Sequence, residues 1–457
     1  MEFVNLARRT EIGANSYLLR AAGRNIVLDC GMHPKERGLA ALPDYSLIEP
    51  GTVDAIVITH AHQDHIGSLP VLTRAESKAR VFLTEPTRRI GDTMLHNSVN
   101  VMTRQREDEG MMEYPLFTHR GIEFSRLMWR PAPARVTFTL DGERGHGDGE
   151  EPTMEFYHAG HILGSAGVLI RAEGRSLFYT GDVNFDDQTL MRGADFPKEG
   201  VDVLVMETTR GDAPTPPDFT RLGEERRFAD AILAAFERGG SVTIPVFALG
   251  KTQEILAMLW RMRRGGELAR TPIYIGGLST KITTAYDAFA HSPDRGSSEL
   301  ALLQEMAPYV LSGNEVNTMP ARPHCIFALS SGMMTEHTLS NIWARKILPD
   351  PKQSLFFVGY SDPESPAGKL RQAKPGDMIQ LDPEQPAVPF RCHHETFNFS
   401  AHASRDSLRD YALALKPKKI LLVHGDPPAI AWFQAEFREK LPGTEVIVPT
   451  PGETLTL

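Results

Sequence analysis

The residues with the clearest chemical potential lie in the stretch Thr59–Gly67, where four candidate metal ligands fall within six consecutive positions: His60, His62, Asp64 and His65. Imidazole and carboxylate donors without a thiolate suit zinc, or another divalent first-row metal such as manganese or iron. Along an extended segment His60 and His62 point the same way, so Asp64 and His65 lie where a second ion could bind. The alternative is a polar loop with solvated histidines, which a lone histidine would favour but this cluster does not.

Further candidate ligands stand at the ends of other predicted strands. Asp29 is interpreted as a carboxylate that orients a metal-binding histidine by accepting its second ring N–H, with loop capping as the alternative. His161 is the candidate ligand of its loop, whereas His158 closes the preceding strand. Asp182 could bridge two cations with its two oxygens. Three more residues at or just beyond strand ends complete the set: Glu207, His402 and His424.

The elements that must position these side chains follow from hydrophobic patterning. The apolar run Ala55–Ile58 precedes the histidine cluster and predicts a buried strand, and loops at strand ends are where layered α/β proteins carry their chemistry. After the proline-rich stretch 212–217, strands alternate with helices to about residue 358, which predicts a separate parallel α/β domain. The acidic, glycine-rich stretch 141–151 predicts an exposed hairpin tip or mobile loop, with His146 outside the ligand set.

Composition limits the class of protein. The chain has 457 residues, of which 41% are hydrophobic and 23% charged, as in ordinary globular proteins with more than one domain. Three scattered cysteines argue against a disulfide framework, and neither a secretory signal nor a membrane span is evident, so we expect a cytoplasmic protein. A net charge of -9 disfavours a non-specific nucleic-acid coat but does not exclude a nuclease, because bound cations can supply positive charge where a phosphate must lie.

In its order of ligands the sequence resembles the metallo-β-lactamase superfamily of dinuclear metallohydrolases. Glu207, the α/β insertion after it, and the motifs 400–402 (Ser-Ala-His) and 422–425 (Leu-Val-His-Gly) narrow the resemblance to the β-CASP family of nucleases. That family includes the endonuclease of eukaryotic pre-mRNA 3′-end processing and bacterial and archaeal ribonucleases. The similarity runs over nearly the whole chain, including Ile244–Gly250 and Ser330–Met333.

The resemblance implies an α/β fold, namely a metallo-β-lactamase αββα sandwich with an inserted α/β β-CASP domain. Residues 1–208 would form the first part of the metallo-β-lactamase domain. Residues 209–391 would form the insertion, and residues 392–457 would return to the first domain.

It also implies a role for each candidate ligand. One metal would be held by His60, His62 and His161, and the other by Asp64, His65 and His424. Asp182 would bridge the two metals, which would be zinc, with manganese as the alternative. His402 would face the scissile phosphate as general acid or phosphate stabiliser, with Glu207 orienting it. A histidine at the position of His424 goes with RNA substrates in this family.

Substrate contacts are less specific in the sequence. Ser330, Ser331 and Gly332 form either an ordinary turn or a cradle of hydroxyls and amides for a phosphate. Lys251 and Lys281 are interpreted as solvated surface lysines, with contact to the RNA backbone as the alternative. The chain departs from the family pattern at Thr209-Arg210-Gly211, where Thr-Tyr-Gly is usual, at Lys251, where arginine is usual, and at Ser404, where an acidic residue is usual.

The function expected from this resemblance is hydrolysis of single-stranded RNA by endonuclease or 5′-exonuclease action. Paired divalent ions would lower the pKa of a bridging water and hold the phosphodiester for in-line attack, while His402 protonates the leaving oxygen. The alternatives are a hydrolase of small esters or thioesters, a DNA nuclease, and a non-catalytic scaffold, which the complete ligand set argues against. Relatives often dimerise, so a homodimer is also considered.

Overall fold

The chain folds into two compact units, each built around its own sheets. The computed structural model describes residues 1–145, 151–268, 271–297 and 299–457, so His146 lies outside the described residues. Unit 1 comprises residues 1–187, 192–215 and 402–457, and unit 2 comprises residues 188–191 and 216–401. The chain therefore leaves the first unit, builds the second, and returns.

Unit 1 begins with strands and helices that bracket the histidine-rich stretch. Its strands up to the departure of the chain are β1 (Glu2–Asn5), β2 (Tyr17–Ala21), β3 (Arg24–Leu28), β4 (Ala55–Val57), β5 (Arg80–Leu83), β6 (Trp129–Pro131), β7 (Thr137–Thr139), β8 (Thr153–His158), β9 (Ala166–Ala172), β10 (Arg175–Tyr179) and β11 (Val203–Glu207). The helices in this part are α1 (Gln63–Ile66), α2 (Leu69–Ala75), α3 (Glu85–Glu109) and α4 (His119–Arg126), and short 3-10 turns lie at Gly38–Ala41 and Tyr45–Leu47.

Unit 2 alternates strands and helices. Its elements are α5 (Arg221–Glu237), β12 (Val242–Pro245), α6 (Lys251–Arg264), β13 (Ile273–Gly276), α7 (Gly277–Ala288), α8 (Leu302–Met306), β14 (Tyr309–Leu311), α9 (Gly313–Thr318), β15 (Ile326–Leu329), α10 (Leu339–Ile347), β16 (Ser354–Phe357), α11 (Pro366–Gln372), β17 (Met378–Ile379), β18 (Val388–Pro389) and β19 (His393–Thr396). The chain then re-enters unit 1 through α12 (Arg405–Leu415), β20 (Lys419–Val423), α13 (Pro427–Lys440), β21 (Glu445–Ile447) and β22 (Thr454–Thr456).

Unit 1 is an αββα sandwich. Within the described residues one seven-stranded sheet has the order β22-β1-β2-β3-β4-β5-β6 and the other the order β21-β20-β11-β10-β9-β8-β7. Alternate apolar side chains of both sheets, such as Ile26, Val57, Phe156 and Val205, form one continuous buried core between them. The outer faces bury the remaining alternate positions against helices, α2 to α4 on one side and α12 and α13 on the other.

The strands of unit 1 bring the candidate ligands to one edge. β3, β4 and β5 run parallel to one another, as do β10, β11 and β20. β8 and β10 both pair antiparallel with β9, so β8 runs in the same direction as β10. Because parallel strands end at the same side of a sheet, residues that follow β8, β10, β11 and β20 lie along one edge of the second sheet. The segment after β4 reaches that edge from the first sheet, since His60 lies 3.5 Å from Asp182.

Unit 2 contains the separate parallel domain that the alternating pattern predicts. Its six-stranded sheet has the order β14-β13-β15-β12-β16-β19, and every neighbouring pair in it is parallel. The strands β12, β13, β15 and β16 are buried over their whole length, as expected for a sheet covered by helices on both faces.

The contacts within the chain divide it at slightly different places from the domain limits expected at residues 208 and 392, which stay predictions. After the short excursion 188–191, the chain leaves unit 1 after Thr215 and returns to it after Ala401. The return is late because β19 pairs with β16 from Ser354↔His393 to Phe357↔Thr396, which makes residues 393–396 the edge strand of the unit 2 sheet. Sequence patterning does not report which sheet a short edge strand joins.

Two simpler expectations concern membrane spans and cysteines. Across the described residues no helix combines the length and the apolar character that crossing a bilayer requires. Cys30, Cys325 and Cys392 are all free and buried, in agreement with the predicted absence of a disulfide framework.

Candidate metal centre

The ligand loops of unit 1 start where buried strands end. His60, His62 and the short helix α1 follow β4, and α1 presents Asp64 in its first turn and His65 in its last. Asp182 follows β10 and His424 follows β20. Asp29 and His424 both have a left-handed backbone, with φ of 59° and 49°, a conformation that is costly for residues other than glycine and that concentrates at functional sites.

The first group of donors contains His60, His62 and His161 together with Asp182. His62 Nδ1 lies 3.1 Å from His60 Nε2 and 3.0 Å from His161 Nε2. Asp182 Oδ2 lies 3.5 Å from His60 Nε2 and 3.6 Å from His161 Nε2. Three imidazoles and one carboxylate oxygen therefore point at one small volume, with their ligand atoms within 4.8 Å of one another.

The second group contains Asp64, His65 and His424. Asp64 Oδ2 lies 3.3 Å from His424 Nε2 and 3.8 Å from His65 Nε2. Asp182 also faces this group through its other oxygen, because Oδ1 lies 3.2 Å from His65 Nε2 and 3.1 Å from His424 Nδ1. One carboxylate thus borders both groups.

Asp182 provides a test of whether a cation fits here. It is 2% exposed, and among the residues that the structure describes its buried Oδ1 has no hydrogen-bond partner, although two imidazole nitrogens are close. An ionised carboxylate oxygen that is buried and not hydrogen-bonded is expensive unless a positive charge compensates it. The donor set of imidazoles and carboxylates is also the one that zinc prefers, so the residues fit a pair of divalent cations.

The ring orientation of two candidate ligands is fixed by Asp29, a buried carboxylate. Asp29 Oδ2 lies 2.8 Å from His65 Nδ1, and the Thr59 hydroxyl donates to Asp29 at 2.8 Å, which leaves Thr59 Oγ1 to accept from His60 Nδ1 at 3.1 Å. With Nδ1 of both rings donating, the tautomers assigned from these partners direct the Nε2 lone pairs of His60 and His65 into the centre. Tyr179 also donates to Asp29, at 2.8 Å.

Main-chain contacts hold the segment that carries Asp64 and His65. Asn15 N–H donates to Asp64 O at 3.0 Å, and Cys30 N–H donates to His65 O at 2.7 Å. Gly31 lies so close to the Asp64 carbonyl that a Cβ at position 31 would overlap it. These contacts leave the ligand loop little freedom, as a preorganised site requires.

His402 and Glu207 form a pair beside the two donor groups. His402 Nδ1 lies 3.2 Å and 3.1 Å from the two oxygens of Glu207, and Val183 N–H donates to Glu207 Oε1 at 2.7 Å. Glu207 is 1% exposed, whereas the His402 side chain is 23% exposed. Its Nε2 lies 3.9 Å from Asp182 Oδ2, so the second ring nitrogen of His402 is directed at the same centre.

Sequence models of three protein families match this chain in succession. The model of the metallo-β-lactamase superfamily matches residues 9–228, that of the β-CASP domain matches residues 252–370, and that of a Zn-dependent metallo-hydrolase RNA specificity domain matches residues 387–449. The chain is a β-CASP member of the metallo-β-lactamase superfamily. The resemblance drawn from the ligand order and the fold expected from it are thereby confirmed.

Among the named proteins similar to this β-CASP chain, two are called endoribonucleases and a third is called a cleavage and polyadenylation specificity factor subunit. The "Endoribonuclease ysh1" of Schizosaccharomyces pombe is 28% identical over 98% of this chain and 57% of the relative. The "Endoribonuclease YSH1" of Yarrowia lipolytica is 29% identical over 93% of this chain and 50% of the relative. The "Cleavage and polyadenylation specificity factor subunit 3" of Dictyostelium discoideum is 27% identical over 100% of this chain and 57% of the relative. The chain thus spans only a little over half the length of the curated relatives it matches.

A solved structure shares the fold of this β-CASP chain. The crystal structure of a protein of unknown function from Enterococcus faecalis V583 superposes with a TM-score of 0.55 at 12% sequence identity, covering 100% of this chain and 99% of the other. At this identity the likeness concerns the fold alone.

The electrostatics of the two donor groups differ in this β-CASP protein. Burial, with the neighbouring His65, lowers the pKa of His60 well below its usual value, and burial also lowers the pKa of His62, so these rings are neutral and can donate a lone pair. Burial would lower the pKa of His424 as well, but the carboxylates of Asp182 and Asp64 outweigh it and raise the pKa to about 10. The carboxylates around Asp64, His65 and His424 therefore stabilise a positive charge at this position.

The carboxylates respond in the opposite sense. Despite burial, the charges of His65 and His424 lower the pKa of Asp64 to about 2, and His424 and His65 hold the pKa of Asp182 well below its usual range. Both carboxylates are consequently ionised near neutrality and able to face a cation. The pKa of His402 is raised, because the attraction of Glu207 and Asp182 exceeds the effect of burial.

The structure brings together the predicted ligands and the predicted pair His402 and Glu207, but it corrects the interpretation of Lys251. Lys251 is 8% exposed, not a solvated surface residue, and its ammonium donates to the main-chain carbonyl of Phe399 within unit 2. Lys281 is exposed as expected. His158, which was not chosen as a ligand, lies with its Nε2 3.0 Å from Arg192 O.

The serine turn of unit 2 has many internal bonds. Ser331 Oγ accepts from the main chain of Thr335 at 3.2 Å, and Ser331 O accepts from the Ser340 hydroxyl at 2.7 Å. Ser330 O accepts from Ser340 N–H at 3.1 Å. The assignment of Ser330, Ser331, Gly332 and Lys251 to substrate binding stays a prediction.

Sequence reasoning missed several residues that support the centre. Asn15 Nδ2 lies 3.1 Å from His65 Nε2, and Thr209 Oγ1 lies 3.0 Å from His424 Nδ1. Thr59 and Thr209 directly adjoin recognised motifs and could have been found by asking which hydroxyl fixes each ring. Asn15 and Tyr179 lie far along the chain from the residues they contact, and nothing local to them signals this role.

Arg210 occupies the position where the family usually has tyrosine. Within the part of the chain that the structure describes, its partly buried guanidinium makes neither a hydrogen bond nor an ion pair. Burial lowers its pKa, while the charges of Glu207 and Asp186 oppose that effect. This chain therefore has an uncommitted cation next to the glutamate that holds His402.

Proposed function

We propose that this chain is a metal-dependent hydrolase that cleaves phosphodiester bonds of single-stranded RNA. The observation that carries the proposal is the meeting of seven imidazole and carboxylate side chains in two groups that share Asp182, with the pair His402 and Glu207 beside them. The matched RNA specificity domain and the endoribonuclease names of the relatives support RNA as the substrate class. Because those relatives are named endoribonucleases, we propose cleavage within the chain rather than stepwise exonuclease action.

The metals would be held by His60, His62, His161 and Asp182 on one side and by Asp64, His65, His424 and Asp182 on the other. We propose zinc in both places, since imidazole and carboxylate oxygen suit it and the matched domain is described as Zn-dependent, with manganese as the alternative. A pair of such cations lowers the pKa of water between them and neutralises the charge of a phosphodiester.

The side chains of the protein perform the remaining tasks. Asp29 and Thr59 keep the Nε2 lone pairs of His60 and His65 directed into the centre. Glu207 accepts from His402 Nδ1–H, and with Asp182 it stabilises the imidazolium, in which Nε2 also carries a proton for the leaving ribose oxygen. The guanidinium of Arg210 can pair with a phosphate oxygen, because it has no partner among the described residues and offers five N–H donors.

Cleavage of RNA labelled either at one end or internally tests the proposal. Discrete fragments on a gel would show endonuclease action, and release of mononucleotides would show 5′-exonuclease action. Loss of cleavage on metal removal, with recovery on adding zinc or manganese, is expected. RNA cleavage that persists in metal-stripped protein would contradict the mechanism. Cleavage of single-stranded DNA in preference to RNA, or of nitrocefin or a thioester where RNA is untouched, would instead favour the alternative hydrolase activities.

Two further expectations remain predictions from the sequence. These are a cytoplasmic location, for which the scattered free cysteines are the basis, and a homodimer. Analytical ultracentrifugation of the purified chain would decide the assembly state.

A further inference from the structure

Unit 2 contains a cleft at the carboxyl ends of three neighbouring strands of its parallel sheet. Gly332 follows β15, Phe247 follows β12 and Tyr360 follows β16. The cleft is shallow and open to solvent, and it is lined by Pro245, Phe247, Lys251, Gly332, Phe357, Val358, Gly359, Tyr360 and Ser361. Open parallel sheets bind ligands outside the carboxyl ends of their strands, so the position is one where a ligand is expected.

Two aromatic rings in this cleft are exposed, although the strands before them are buried. Phe247 is 37% exposed and Tyr360 is 60% exposed, whereas β12 and β16 are buried throughout. Exposed apolar surface gathered in a concave site is a sign of binding, because leaving it in water costs free energy. Two of the residues predicted to bind substrate, Lys251 and Gly332, line the same cleft.

Both rings are carried by rigid segments. A Cβ at Gly332 would lie only 3.0 Å and 3.1 Å from Cδ2 and Cε2 of Phe247, so the main chain at Gly332 supports this ring. Arg371 donates to Gly359 O at 3.1 Å and to Ser361 Oγ at 2.8 Å, which fixes the turn on both sides of Tyr360. Preorganised rings bind a flat partner at a low cost in entropy.

The polar groups near the rings are already used within unit 2, which argues against a phosphate here. At the start of α6, Gly250 N–H donates to the side chain of Gln253 at 2.8 Å, and Thr252 N–H donates to Phe247 O at 3.1 Å. The Lys251 ammonium is bound to the Phe399 carbonyl. What the cleft offers is therefore aromatic surface rather than a ring of free donors.

We propose that this cleft binds a nucleobase of the RNA substrate by stacking it on Phe247, with Tyr360 at the rim. The inference rests on the proposed function for the identity of the ligand, and it adds a place where unit 2 itself contacts a base. Stacking on an aromatic side chain tolerates any base, because every base has a π-face, so the site would add affinity without strict sequence preference.

The test uses the full chain carrying Asp182→Asn, which we expect to bind RNA without cleaving it. The probe is a short oligouridylate in which 2-aminopurine replaces one base at each position in turn. At one position the fluorescence should be quenched on binding. Phe247→Ala should abolish that quenching and weaken binding between about fivefold and a hundredfold, the factor expected for one stacked base. Phe247→Trp should retain both.

Matched variants and a modified RNA separate stacking from a fold defect. Phe247→Leu keeps an apolar side chain beside Gly332 but lacks a ring, and it should behave as Phe247→Ala does. Tyr309→Ala removes an aromatic residue that is 59% exposed on the edge strand β14 and should bind as the parent does. An abasic nucleotide at the quenched position should weaken binding to the parent chain as much as Phe247→Ala does, and the two changes together should cost no more than either alone.

Unchanged quenching and affinity in Phe247→Leu would overturn the inference, and so would additive effects of Phe247→Ala and the abasic nucleotide. Failure of the proposed function is distinguishable from this, because it appears as absence of RNA cleavage and RNA binding in the chain without substitutions at Phe247. RNA cleaved by that chain, together with the overturning results above, would reject the stacking site alone.

Discussion

The two units of this protein use the same place in a sheet for opposite chemistry. In unit 1 the residues beyond the strand ends are ionisable groups that face one another, and the buried oxygen Asp182 Oδ1 has no hydrogen-bond partner within the described part of the chain. In unit 2 the polar groups beyond the strand ends are bonded to their own main chain, as for Lys251, and the exposed surface is aromatic. In the first arrangement a buried carboxylate oxygen costs free energy that a bound cation would offset. In the second the polar groups are already bonded, and the exposed rings are the surface proposed for stacking.

The largest effect is expected from Asp182→Asn, which removes the charge that both donor groups share. RNA cleavage should fall below detection, and bound zinc measured by elemental analysis should drop by at least one equivalent per chain. Asp195→Asn, at an aspartate that is 66% exposed, serves as the control and should keep both. Full metal content with full activity in Asp182→Asn would contradict the reading of unit 1 as a cation site.

The next largest effect should come from His402→Ala, because it removes the proton donor without removing a ligand. The value of kcat should fall by about 10²- to 10⁴-fold, the usual contribution of general acid–base catalysis. Bound zinc should stay at its original level. A substrate whose leaving group needs no proton, such as a nitrophenyl phosphodiester, should lose much less, and an equal loss on both substrates would reject the proton-donor role.

Asp29→Asn should have an intermediate effect on metal binding. Asp29 is not itself a metal ligand, but the substitution disturbs the orientation of His65 and His60. A loss of about 10- to 100-fold in zinc affinity is expected. Tyr179→Phe removes only one of the hydrogen bonds to Asp29 and should cost less. Competition with a chelator of known zinc affinity measures the zinc affinity of each variant. A loss in Tyr179→Phe as large as that in Asp29→Asn would contradict the prediction.

A smaller effect is expected at Arg210, the uncommitted cation of unit 1. Arg210→Met should raise KM for RNA by about tenfold, the factor for one lost hydrogen bond to a charged group, with little change in kcat. Arg210→Lys should recover part of this, since a lysine keeps the charge but not the planar fork. An unchanged KM in Arg210→Met would show that this guanidinium does not contact the substrate.

The smallest effect on chemistry, and a distinct effect on stability, is expected in unit 2 at Lys251. Burial lowers its pKa from 10.5 to about 8. Below pH 8 the charged lysine is buried in the folded protein, so its cost is fully present; as pH rises from 8 to 10.5 the folded protein loses that charge and the cost disappears. The free energy of unfolding should therefore gain up to about 3 kcal/mol from this residue over that range.

Urea unfolding at pH 7 and at pH 10 measures this contribution. In Lys251→Met the gain with pH should be smaller than in the original chain, whereas in the exposed Lys281→Met it should be the same. The salt dependence of RNA binding tests the alternative role, in which Lys251 contacts the RNA backbone. In that case Lys251→Met should reduce the slope of log affinity against log salt concentration by about 1.

What the sequence could predict in this protein was local. The strand that precedes the histidine cluster ends at Val57, one residue from its predicted end at Ile58, because buried strands are continuous apolar runs with polar residues after them. The ligands follow from a short motif and from the resemblance. The return at Ala401 and the burial of Lys251 could not be predicted, because both depend on contacts that are distant in sequence. β19 pairs with β16 about 40 residues earlier, and Lys251 bonds to Phe399, 148 residues later.

The position of Asp182 between the two donor groups has a thermodynamic consequence. If two cations bind as proposed, the first would draw on a carboxylate that the second also needs, and the two would repel each other across it, so their affinities would be linked rather than independent. By reciprocity, whatever factor the first ion imposed on the second would be imposed in return. Calorimetric titration of the metal-free chain should then require a coupling constant between two binding steps, whereas Asp182→Asn, expected to lose at least one equivalent, should show at most one step.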